Sequence, residues 1–170
     1  MSYYSQQQFA GARPRKRGEA KLIGTMLTIV TVATLATNLL VAVLAKNLGA
    51  NPGFAPLSVP VFGAFTIAGI IGGWLGWRVL ERRGVRQRTV LTVIVPLFTA
   101  VSMVPDLALL ALRFIPGANP AGVFALMVMH LSVVGHAVPC YRLITKRLRL
   151  RADGAEIPAP LPVVAPSRQA

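Results

Sequence analysis

The chain has 170 residues, of which 54% are apolar and only 14% charged, where a soluble domain of this size carries about a quarter charged. Its 18 Lys and Arg against 5 Asp and Glu give a net charge of +13, but the basic residues flank long uncharged stretches, which fits an orientation signal or contact with anionic lipid and argues against nucleic-acid binding. With Cys140 the single cysteine, an intramolecular disulfide and a two-cysteine redox site within one chain are excluded, and Cys140 is expected to act as a small apolar filler.

Residues 1–21 form a polar, basic tail with Arg13, Arg15, Lys16, Arg17 and Lys21. The first apolar run, residues 22–45, is 24 residues long, more than the roughly 20 needed to cross about 30 Å of hydrocarbon. It is also about twice the length of a signal-peptide core, so it predicts a retained anchor helix. Glycines, prolines and asparagines in residues 46–58 predict a loop. The second apolar run predicts a helix over residues 59–80, with Trp74, Trp77 and Arg78 as an interface anchor near its end. A third helix is predicted over residues 89–112, where Pro96 and Pro105 each remove a backbone donor and predict a packing kink. A turn-rich loop over residues 113–120 leads to a fourth helix, residues 122–144, ended by Arg142, Lys146, Arg147, Arg149 and Arg151. Residues 149–170, which end in a Pro- and Ala-rich segment, are expected to be a disordered tail.

Counting Lys and Arg sets the orientation. The N-terminal tail carries five, the second loop five (Arg78, Arg82, Arg83, Arg86, Arg88) and the C-terminal flank five, whereas Lys46 and Arg113 stand by themselves in the other two loops. Fifteen against two places the basic side in the cytoplasm. The expected fold is all-α: an integral membrane bundle of four transmembrane helices, residues 22–148 as one domain, both termini cytoplasmic.

Small residues recur every four positions in helix two, at Ala64, Ala68, Gly72 and Gly76, with Gly69 and Gly73 as a second pair beside them. Such a stripe lets another helix approach closely, which matters in lipid because apolar surface gives helices no reason to associate. The partner is either another helix of this chain or a second copy in a homodimer; spacing does not separate the two. The arginines from Arg82 to Arg88 are expected either to stay solvated as an orientation signal or to hold an anionic headgroup or an acidic partner.

Strongly polar groups inside a membrane are expensive and therefore candidate sites. Four occur: Asn38, Asp106, His130 and His136. At 1.5 Å of rise per residue, Asn38, Asp106 and His130 each fall roughly 10 Å below the outer boundary. Shared depth on three helices is what a common polar site would produce. A carboxylate beside an imidazole stabilises the protonated ring while loss of water opposes it, so Asp106 and His130 could hold or pass a proton. The plainer reading is a hydrogen bond joining helices three and four, with Asn38 bridging to helix one. His136 is about 120° away from His130 around the helix and ~9 Å deeper, a poor arrangement for one metal. No His-Glu-x-x-His motif, cysteine pair or Gly-x-Ser-x-Gly elbow occurs. No metal, cofactor or enzymatic activity is expected.

Thr37-Asn-Leu-Leu40, Pro96-Leu-Phe-Thr-Ala-Val-Ser102 with Pro105, and Met129-His-Leu-Ser-Val-Val-Gly135 with Pro139 carry a resemblance. Over residues 21–144 the chain resembles a family of small four-span membrane proteins, common in actinobacteria and catalogued only as a domain of unknown function. The resemblance implies a bacterial plasma membrane and no assigned activity. It places His130 in a Met-His element and leaves Asp106 and His136 outside any family pattern.

Three function classes follow. The foremost is a non-enzymatic scaffold or accessory subunit that binds a membrane protein partner through the small-residue stripe or the basic face. The second is a small dimeric proton-coupled transporter using Asp106 and His130. The third is an enzyme acting on lipid, which would need a pocket where Ser102 or Ser132 meets His130.

Overall fold

The computed structural model describes residues 12–112 and 114–154, with side chains from residue 17 onward. Four helices are long and apolar enough to cross a membrane, and no strand occurs among the described residues. Helix α1 spans Ala12–Asn47, α2 Val59–Arg82, α3 Gln87–Leu112 and α4 Pro120–Asp153. Large apolar side chains such as Phe65, Phe98 and Leu131 point outward in each span. This is the construction of a multi-pass membrane protein, whose apolar surface meets lipid instead of water.

Hydroxyls inside the spans are satisfied locally, as lipid requires. Thr31 and Thr34 of α1 each donate to the carbonyl one turn back, to Leu27 and Val30 at 2.7 Å, and Thr99 of α3 donates to Val95 O at 2.8 Å. Helix α1 stops at Gly49, whose φ of +97° lets Ala50 N reach back to Ala45 O at 2.8 Å. Gly84, at φ +70°, ends α2 in the same way, with Val85 N on Leu80 O at 3.1 Å. The backbone of α3 widens into a π turn at Val90–Ile94, just before Pro96, whose ring would otherwise press on the carbonyl of Thr92. Asn119 caps α4 by accepting from Gly122 N at 2.9 Å, and its amide donates to Gly49 O at 2.7 Å, tying two loops together.

Helix α4 is the hub: α1, α2 and α3 all pack on it, while α2 and α3 scarcely touch each other. Away from the basic end, the loop after α1 folds back so that Phe54 and Leu57 are buried with Phe62, Leu109, Val123 and Met129. Toward the basic end, Ile70, Trp74, Trp77, Tyr141 and Ile144 form a second core.

Two sequence expectations need correction. Helix α4 continues through Asp153, where a disordered tail was expected from residue 149, and α1 begins within the basic tail. The two extensions meet where Arg151 donates to Gly18 O at 3.5 Å. Trp74 and Trp77, near the basic end of α2, are buried against Tyr141, with ring centroids 5.6 and 6.0 Å away. Residues 1–11, Arg113 and residues 155–170 lie outside the described residues, as do the side chains of Arg13, Arg15 and Lys16.

Candidate functional site

The intramembrane polar residues form two separate clusters. In the first, His130 Nε2 lies 3.1 Å from Asp106 Oδ2, joining α3 to α4. The carboxylate is buried and that oxygen receives no well-aligned hydrogen bond, whereas the imidazole is 39% exposed. Asp106 is thus held inside while His130 presents its ring outward.

The second cluster centres on Asn38, fully buried in α1. Its amide nitrogen donates to Thr66 Oγ1 of α2 at 2.9 Å, and its amide oxygen accepts from Ser132 Oγ of α4. Asn38 therefore joins three helices, but not the pair expected from depth. The reason is rotation: Ser132 follows His130 by two residues, about 200° around the helix, so the two side chains leave α4 on opposite faces. His136 Nδ1 sits 2.8 Å from Ser132 O on its own helix and takes part in neither cluster. Cys140 is buried, with its thiol 3.6 Å from Met26 O.

Thr66 follows from the same depth arithmetic, had it been applied to hydroxyls: it lies seven residues into α2, as Asn38 lies seven from the end of the first apolar run. Tyr141 and Thr145 carried no comparable signal. Tyr141 Oη donates to Ile70 O at 2.5 Å, and Trp77 Nε1 donates to Thr145 Oγ1 at 3.1 Å. These bonds clamp α2 to α4 near the basic end.

The small residues of α2 divide between two environments. A Cβ placed on Gly73 would meet Tyr141 Oη at 2.8 Å, and one on Gly69 would meet Val133 Cγ1 at 3.6 Å, so this pair lies against α4. Gly72 and Gly76 face open space, and Ala64 and Ala68 are exposed. Where α2 and α3 fail to meet, an apolar groove of about 630 Å³ opens. Gly69, Gly72, Gly73 and Gly76 line one wall, Ile94 and Phe98 of α3 the other, and Val133, Ala137 and Tyr141 of α4 the floor. Ser102 and His130 also line it. The Ser102 hydroxyl donates to Thr99 O at 2.7 Å, and the Ser132 hydroxyl to Asn38, so neither serine is bonded to His130.

At the basic end, Arg78 lies 5.6 Å over the Trp74 ring and 3.3 Å from Glu81, which also draws Arg149 to 3.7 Å. Arg82, Arg83, Arg86 and Arg88 are exposed.

A family model described as a family of unknown function, DUF6069, matches residues 15–147. The chain belongs to that family. The match takes in all of α2 and α3 and most of α1 and α4 of this DUF6069 protein, including both polar clusters and the groove. Comparison with curated proteins and with solved structures gives no significant match.

Proposed function

We propose that this protein is a non-enzymatic component of a bacterial plasma membrane, a scaffold or accessory subunit that receives a transmembrane helix of a partner in the groove between α2 and α3. The actinobacterial resemblance and the excess of basic residues at one end support that membrane and a topology with both termini cytoplasmic. The observation that carries the reading is the groove itself. Gly72 and Gly76 leave one wall without side chains, and close backbone approach is what drives helix association in lipid. A second copy of the chain is the first partner to test. In detergent or nanodiscs the wild type is expected to have the mass of a dimer, and a Gly72→Leu, Gly76→Leu double variant that of a folded monomer. A wild-type monomer sends the search to cross-linking in native membranes; a variant that keeps the dimer removes the groove from the interface.

A second reading rests on the Asp106–His130 pair, whose imidazole opens onto the same groove. Ionisable pairs inside a membrane mark proton relays in many transporters. If a dimer moves a substrate with protons, His130→Ala abolishes proton flux in proteoliposomes while the protein still accumulates and melts as the wild type does. A variant that merely fails to accumulate assigns the pair to helix joining.

A further inference from the structure

A second concavity, apart from the groove, lies at the basic end. It has a volume of about 490 Å³ and is set between Gln87, in the opening turn of α3, and one face of α4. Arg142, Lys146 and Arg149 project from that face. Leu143, 50% exposed, lies between Arg142 and Lys146, Leu150, 60% exposed, follows Arg149, and Pro139 lies at the apolar end. The spacing of four and then three residues keeps the cations on one side of the helix.

Depth places this cradle in the headgroup layer. If α4 enters hydrocarbon at Pro120, about 30 Å of core takes it to Cys140, so Arg142 falls about 3 Å and Lys146 about 9 Å beyond the boundary. Two of the three charges are uncompensated there; Arg149 also reaches Glu81 at 3.7 Å. No acidic side chain lines the cradle, and neither Arg142 nor Lys146 makes an ion pair among the described residues. A neighbouring cavity of about 290 Å³ differs: it holds Glu81 together with Arg86 and Arg149, so its charges offset one another. The arginines from Arg82 to Arg88, read from the sequence as either a solvated orientation signal or a site for an anionic headgroup or acidic partner, do not line the cradle.

We propose that Arg142, Lys146 and Arg149 bind the phosphate of an anionic phospholipid, whose acyl chains run along Leu143 and Pro139. An exposed leucine, Leu143, between Arg142 and Lys146 and next to the boundary favours a ligand that is anionic at one end and apolar at the other. A nucleic acid would leave Leu143 without an apolar partner. The inference is independent of the groove and of any partner received there.

The test is native mass spectrometry of the full chain, delipidated in neutral detergent and offered equal amounts of phosphatidylglycerol and phosphatidylcholine. Phosphatidylglycerol is expected to be retained about tenfold better, and an Arg142→Ala, Lys146→Ala variant to lose about that preference, since each basic residue near an anionic surface contributes roughly 1 kcal/mol, several-fold in affinity. Both side chains are exposed, so the variant is expected to stay folded, and Arg142→Lys, Lys146→Arg should restore most of the binding. An Arg82→Gln, Arg83→Gln variant should bind within twofold of the wild type. Equal retention of the two lipids overturns the proposal, as does an equal loss in the Arg82, Arg83 variant. Displacement of the lipid by millimolar inorganic phosphate also overturns it, because the site would then recognise free phosphate.

Discussion

On one side of α2, Gly69 and Gly73 lie against α4, close enough that a methyl group on Gly73 would press on the Tyr141 hydroxyl at 2.8 Å. Around them the contact is closed: Tyr141 bonds to Ile70 O, Trp77 to Thr145, and Asn38 bridges α1, α2 and α4. On the other side, Gly72 and Gly76 meet nothing within 4 Å, and α3 stands off across the groove. The residue type and the spacing are the same on both sides. What separates a sealed seam from an open one is the side chain opposite, and Tyr141 is far away in sequence. Small residues permit close approach; a partner with its own bonds to offer turns permission into packing.

The largest expected effect breaks the closed side alone. Gly73→Leu forces a branched side chain into the space of the Tyr141 ring and its bond to Ile70 O. Overpacking of this kind costs about 3 kcal/mol at its upper range, read as a lowered unfolding midpoint in a detergent or denaturant titration. Gly72→Leu, one position earlier, points into open space and should leave the monomer's midpoint close to that of the wild type. Equal losses from both variants would mean that α3 closes over the groove in solution and that the two sides of α2 do not differ.

The spans were legible because an apolar run of about 20 residues in a chain with few charges has no other use. Helix ends were less so. Hydropathy falls where Arg and Lys begin, yet α1 and α4 continue past that point, and the Arg151–Gly18 contact joins the two extensions. Depth brought Asp106 and His130 to the same level, and they stand 3.1 Å apart. Depth also put Asn38 with them, and there it failed, because level does not specify rotation. A two-residue offset sends His130 toward α3 and Ser132 toward α1. Nor did the sequence reveal what Trp74 and Trp77 pack against: Thr145 and Tyr141, on another helix, give both rings a place inside the bundle.

A smaller effect is expected where the closed side is held by polar bonds instead of by shape. Asn38→Leu keeps nearly the same volume but removes the donor to Thr66 and the acceptor for Ser132. Neither hydroxyl is then stranded. Ser132 already lies 3.1 Å from Met129 O, and Thr66 can turn to the carbonyl one turn back, as Thr31 and Thr34 do. The expected cost is therefore about 1–2 kcal/mol, in the range of interhelical hydrogen bonds in lipid. Measuring it beside Gly73→Leu under the same titration ranks the two ways a membrane seam can be held. If Asn38→Leu costs less, close packing between α2 and α4 dominates and the polar bridge mainly sets which faces meet. If it costs more, the Asn38 bridge is the principal tie among α1, α2 and α4, and the missing counterpart of that bridge between α2 and α3 is why the groove stays open.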